Sequence, residues 1–132
     1  MKYFFSYIWA IVWAIIMLVL MFIPSEDLPD TNQFALFYGF DKVVHLGIFF
    51  VLTVLLYWES ALKSQWKANK LVTIAKVMVS TIAFGIFTEM GQQYFTNSRA
   101  GDKWDLFADI IGICMGTFAY ILLYRRNRNH EN

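Results

Sequence analysis

The stretch Trp104–Tyr124, WDLFADIIGICMGTFAYILLY, places two acids at the head of an otherwise apolar run. About 20 mostly apolar residues are needed to cross a bilayer as a helix, and this run has that length. On a helix, Asp105, Asp109, Gly112 and Gly116 stand at i, i+4, i+7 and i+11 and so share one face. Ala108, Gly112 and Gly116 add a small-xxx-small ridge, which lets two helix backbones approach closely. The acidic face thus runs into the packing face. Both carboxylates are expected to point at neighbouring helices, because an ionised side chain at the helix centre costs about 2.5–3.5 kcal/mol even on the lenient insertion scale.

The whole chain has the same character. Of its 132 residues, 58% are hydrophobic and 19% aromatic. A small domain buries the smallest fraction of its surface, so water is a poor solvent for this composition and a lipid bilayer is the expected partner. A net charge of +1 leaves no electrostatic footprint for nucleic acid. The single cysteine, Cys114, has no internal disulfide partner and belongs to no CxxC motif, which predicts a small buried side chain.

Four spans are predicted, over residues 4–23, 41–58, 71–91 and 104–124, within one domain covering 1–132. The first is too long for the apolar core of a signal peptide. It is followed by the charged, proline-bounded segment Pro24–Pro29 rather than a small-residue cleavage site, so it reads as a retained anchor. Lys2, the loop lysines Lys63, Lys67 and Lys70, and Arg125, Arg126 and Arg128 all fall on one side of a four-span chain. The excess of Lys and Arg in cytoplasmic segments makes that side internal and both termini cytoplasmic. Lys76 lies within the third span, close enough to snorkel back to that side. The fold expected is an all-α four-helix transmembrane bundle.

The remaining polar residues gather at the opposite face. Asp41, Lys42 and His45 open the second span, with Asp41 and His45 one turn apart. Gly85, Glu89 and Gln92 share a face at the end of the third span. Arg99, Asp102 and Lys103 lie in the following loop, and Asp105 and Asp109 begin the fourth span. Taken singly, Asp41 and Asp105 suit helix N-terminal caps, and His45 suits a packing role. Together, on three helices and a loop, they describe a polar cup, with a structural ion-pair network as the alternative.

The pattern Asp41-Lys42-x-x-His45, Glu89-x-x-Gln92, Arg99-x-x-Asp102-x-x-Asp105 and Asp109-x-x-Gly112-x-x-x-Gly116 resembles the VanZ-like family of small bacterial membrane proteins, over about residues 8 to 124. One departure is Asp109, where many relatives carry Asn. The family is named for a member associated with resistance to teicoplanin, a lipidated glycopeptide that acts on the cell wall. The resemblance therefore implies a multi-pass protein of the bacterial plasma membrane that works at the envelope. It does not imply that this chain confers resistance.

Three functions fit such a cup. It can bind a lipid-linked or lipid-anchored head group, with Lys42, Arg99 and Lys103 facing phosphate or carboxylate and Glu89, Asp105 and Asp109 accepting from hydroxyls or ammonium. It can be a hydrolase or transferase acting on that head group, with His45 as base or nucleophile oriented by Asp41 or Glu89. Or it can lock a structural partner subunit of an envelope complex. His45 among carboxylates is also a donor set for a divalent metal, yet no recognised spacing such as H-E-x-x-H is present, so no metal ligands are assigned and the cofactor is left open.

The topology has a direct test. In a Cys114→Ser background, a cysteine at Asn97 should react with a membrane-impermeant maleimide on intact cells. One at Lys67 should react only after the membrane is opened, and the reverse pattern would invert the orientation.

Overall fold

The computed structural model describes residues 6–22, 40–95 and 103–131. Among these residues there are four helices and no strand: α1 (Ile8–Phe22), α2 (Phe40–Ser64), α3 (Lys70–Phe95) and α4 (Lys103–Glu131). Three are long and apolar enough to cross a membrane, over Lys42–Ser64, Lys70–Phe95 and Lys103–His130. At about 1.5 Å per residue each is longer than the ~30 Å hydrocarbon layer. Helices α2 and α4 run beyond the predicted spans mainly at their basic ends, through Lys63 and through Arg125, Arg126 and Arg128, whereas α3 gains Lys70 at one end and residues 92–95 at the other. The described part of α1 is 15 residues of apolar sequence. The predicted first span, 4–23, reaches into residues outside the described set.

Large apolar side chains cover the outside of the bundle, among them Ile15, Val19, Val79, Phe87, Phe118 and Leu122. A water-soluble monomer rarely exposes so continuous an apolar surface, whereas lipid accepts it. Cys114 corrects an expectation here. It is exposed on the outer side of α4 rather than buried, because the inward positions around it are taken by Ile113, Gly116 and Thr117.

The main seam joins α2 to α4. A Cβ on Gly112 would collide with the Leu46 carbonyl oxygen, and one on Gly116 would stand 2.8 Å from Thr53 Cγ2 and 3.3 Å from the Phe50 carbonyl oxygen. Backbone proximity excludes a side chain at Gly112, whereas at Gly116 the nearest obstacle is the Thr53 side chain. Below the seam, Met17, Met21, Phe49, Leu52 and Ile113 form the apolar core with Ala10. Further along, Tyr57 stacks on Tyr120 with ring centroids 4.3 Å apart and shares a 2.9 Å hydrogen bond with Thr117 Oγ1.

The α3 helix buries Thr73, Val77, Thr81, Gly85, Thr88, Glu89 and Gln92, a stripe that recurs every three or four residues. The threonine hydroxyls donate to carbonyls on their own helix, as Thr81 does to Val77 and Thr88 to Gly85. A hydroxyl left unpaired in an apolar interior would be costly, and this local bond removes the cost.

The α1 helix is fastened by four long-range hydrogen bonds. Glu59, buried on α2, accepts from the backbone N–H groups of Trp9 at 2.9 Å and Ala10 at 3.1 Å. These are first-turn donors that the helix itself cannot satisfy, and the carboxylate also meets the positive end of the helix dipole. Midway, Trp13 Nε1 donates to the Ile48 carbonyl at 3.1 Å, so Trp13 is tied to α2 by a polar bond as well as packing against the core. At the other end Gln92 Nε2 donates to the Met21 carbonyl at 3.0 Å, and the Phe22 ring lies over Gly91.

The α2–α3 turn is set locally. Trp66 N donates to the Ala61 carbonyl and Gln65 N to Leu62, a Schellman pattern that places Gln65 at φ 51° and Trp66 at φ 62°. Asn69 then caps α3 by accepting from Leu71 N and Val72 N.

The seam predicts a contrast between two glycines. Gly112→Ala forces a methyl into the α2 backbone and should destabilise the detergent-solubilised protein by about 1–3 kcal/mol. Gly47→Ala meets nothing within 4 Å, and should be neutral or stabilising by up to about 1 kcal/mol, since alanine is the better helix former. Thermal unfolding of the two purified variants beside the parent checks both.

Candidate functional site

The polar centre forms where the first turns of α2 and α4 meet the last turns of α3. His45 lies five residues into α2 and Asp109 six residues into α4, so both stand within roughly 10 Å of their helix starts by the 1.5 Å rise. Glu89 stands six residues before the end of α3. Three helix ends therefore bring their polar residues to one end of the bundle.

Here His45 Nδ1 is 3.1 Å from Asp109 Oδ1. An ionised carboxylate only accepts, so the ring donates through Nδ1. The other ring nitrogen, Nε2, faces Asp105 Oδ2 at 3.9 Å, and Asp105 Oδ1 receives Lys42 Nζ at 3.3 Å. A continuous line of charge-bearing groups thus runs Lys42, Asp105, His45, Asp109. It passes from the partly open edge into the interior, where the Asp109 side chain is 0% exposed. Glu89, also buried, closes the centre from α3. One ligand atom each from His45, Glu89 and Asp109 can be chosen so that all lie within 4.8 Å of one another.

Local sequence explains why these groups converge. Asp109 is one turn before Gly112, whose contact with Leu46 draws α4 against α2 beside His45. The short aspartate side chain reaches the imidazole because the backbones are so near. Across from it, Gly85 on α3 lies beside the second oxygen of Asp109: a Cβ there would stand 3.6 Å from Oδ2, an ordinary contact. Oδ2 is buried and receives no hydrogen bond from the described residues.

The predicted site residues divide as follows. Lys42, His45, Asp105 and Asp109 are joined by direct contacts, and Glu89 is beside them. Asp105 lies within the first turn of α4 and bonds Lys42. Gln92 is buried nearby, with its amide on the Met21 carbonyl, so it also braces α1. Gly112 and Gly116 lie on the α2–α4 seam. Lys103 is exposed at the start of α4. Asp41 belongs to α2, but its side chain lies outside the described residues, as do Arg99 and Asp102 altogether. Sequence reading missed Glu59. Its one signal was an acid within the lysine-flanked end of an apolar run, where the flanking charge is otherwise positive.

In class, the described residues make an all-α protein with three membrane-length helices and a buried histidine–carboxylate centre at one end. The sequence is similar to an uncharacterised protein of Schizosaccharomyces pombe, C11E3.10. The two are 31% identical over 86 residues, which cover 65% of this chain and 49% of the yeast protein. The chain thus spans about half the length of that relative. No family model matches the sequence. No solved structure matches it.

Removing either member of the buried pair should have unequal effects. His45→Ala leaves Asp109 buried without its donor and should cost roughly 1–3 kcal/mol. Asp109→Asn keeps an oxygen that accepts from Nδ1–H and removes a buried charge, so it should cost less. Denaturation midpoints of the two variants, measured in the same detergent, give the order.

Proposed function

We propose that this chain is a VanZ-like multi-pass membrane protein. In this reading its polar centre binds the head group of a lipid-linked or lipid-anchored envelope molecule at the extracytoplasmic face. The observation that supports it is the line Lys42–Asp105–His45–Asp109, with Glu89, held by close helix packing within about 10 Å of the bundle end. That depth is where head groups lie, just outside the hydrocarbon. Ionisable groups buried in a bundle of membrane-length helices carry a desolvation cost, and their clustering favours a functional reading.

The composition of the site refines the ligand. Lys42 is engaged with Asp105, and the carboxylates of Asp105, Asp109 and Glu89 stand around His45. An ammonium or hydroxyl-rich head group suits this interior, and Lys103, exposed at the start of α4, suits a phosphate at its rim. At the other end of the bundle, Lys63 and Lys76 line a groove with Ser60, Ser64 and Ser80. Lys67, Lys70 and Arg128 line another. This concentration of positive charge supports the cytoplasmic assignment of that end and of both termini. The bacterial plasma membrane, and any relation to glycopeptide resistance, rest on the residue pattern shared with VanZ-like proteins.

A second reading is favoured by one contact. The 3.1 Å His45–Asp109 bond is the geometry of an oriented general base, as a membrane-embedded hydrolase or transferase would require. Binding and catalysis separate in one experiment. The purified protein is incubated with phosphatidylethanolamine, with phosphatidylglycerol and with a lipid-linked saccharide pyrophosphate, and analysed by native mass spectrometry. Retention of one of these unchanged, weakened at least tenfold by Arg99→Ala or Asp105→Ala, is the expected result. Release of a cleaved head group that His45→Ala abolishes would establish the enzyme. Equal retention by all variants would remove the site.

A further inference from the structure

We propose that His45, Glu89 and Asp109 hold a divalent cation, such as Zn2+ or Mn2+, at the centre of the bundle end. The inference rests on reading this end of the bundle as a binding site and names the ion within it. Three observations carry it. One ligand atom from each of the three residues can be chosen so that all lie within 4.8 Å of one another, and all three residues are buried. His45 Nδ1 and Asp109 Oδ1 are 3.1 Å apart, about the separation of neighbouring ligands on an ion with bonds of ~2.0–2.2 Å. Independently, Asp109 Oδ2 is buried, receives no hydrogen bond from the described residues, and lies beside Gly85, one turn from Glu89.

The chemistry of the donor set is consistent. One imidazole nitrogen and two carboxylates suit a borderline or hard divalent ion, and their two negative charges neutralise it. Three protein donors also leave a coordination position for an oxygen of the bound molecule, as in sites that act on substrates. Asp105 has a defined part. For the ion to take Nδ1 the neutral ring must carry its one hydrogen on Nε2, so a proton leaves Nδ1 and one is taken up from solvent at Nε2, with no net release. That hydrogen faces Asp105 Oδ2, 3.9 Å away, with Lys42 behind it. A carboxylate on the far nitrogen is the usual device that fixes the orientation of a ligating histidine.

The test uses the metal alone, with no lipid ligand. Full-length protein in detergent is stripped with chelator, then titrated with Mn2+ and with Zn2+. One ion per chain should bind, with a rise in the unfolding temperature. Pulsed electron spin resonance of the Mn2+ form should show coupling to a histidine nitrogen, a readout that needs no variant. Glu89→Gln and Asp109→Asn should each weaken binding at least tenfold while eluting as folded protein. Asp105→Asn, which keeps an acceptor for Nε2, should weaken it less. Absence of stoichiometric binding at millimolar metal, bound Mn2+ with no nitrogen coupling, or folded Asp109→Asn that binds as tightly as the parent would each overturn the assignment. Lipid retention that survives loss of the ion would leave the head-group site standing while the cation site falls.

Discussion

The close approach of α4 to the α2 backbone is the constraint on which the polar centre depends. Gly112 lies against the Leu46 carbonyl and Gly116 against Thr53 and Phe50. Lipid tails are as apolar as leucine, so no hydrophobic force drives membrane helices together, and packing and hydrogen bonding must do so. Closeness supplies both. It lets a short aspartate one turn before Gly112 reach His45, and it lets Tyr57 reach Thr117 further along. The seam therefore grades from ionisable groups at one end, through small residues, to stacked tyrosines at the other. A longer acid at position 109 would not fit the same gap without displacing His45 or the Gly85 face.

The α1 helix is held by a different logic. Its contacts with α2 and α3 are less extensive than those of α4, and hydrogen bonds from other helices reach it at its first turn, middle and last turn. Glu59 matters most here. A buried carboxylate normally needs a cation, but two backbone N–H groups and the dipole of α1 provide the compensation instead. Gln92 connects this arrangement to the polar centre, because it sits one turn beyond Glu89 on the same face of α3 and grips the end of α1. The position of α1 and the geometry of Glu89 are thereby coupled through α3.

Much of this was legible in the sequence, for reasons that differ by residue. Length and hydropathy suffice for α2, α3 and α4, because a membrane helix must satisfy its own backbone and so announces itself as a long apolar run. The i, i+4, i+7 spacing placed Asp109 and Gly112 on one face, and the structure joins His45 and Asp109 across the seam. Glu59 was not legible, because its partners are backbone groups of Trp9 and Ala10, and a backbone donor carries no residue signature. The Trp13–Ile48 bond was hidden for the same reason. Cys114 was misread because an apolar run has no marker for which side faces lipid; that is decided by the glycines and threonines that turn the helix inward.

The charge balance of the centre explains why position 109 matters. Among the described residues, Asp105 and Asp109 face Lys42 and His45, with Lys42 meeting Asp105 directly, and Glu89 lies beside them. With asparagine at 109 the deepest group would be neutral, and Asp105 would remain the acid of α4 that faces His45. With aspartate, a buried oxygen remains whose lone pairs meet no donor among the described residues. An unpaired buried carboxylate oxygen is costly enough that a folded protein relieves it, by a proton or by a bound cation. A proton relieves the charge but still needs an acceptor of its own at Oδ2, beside Gly85. A cation shared with Glu89 relieves the charges of both acids at once. The same carboxylate that makes the centre harder to bury makes it better suited to hold a positively charged partner.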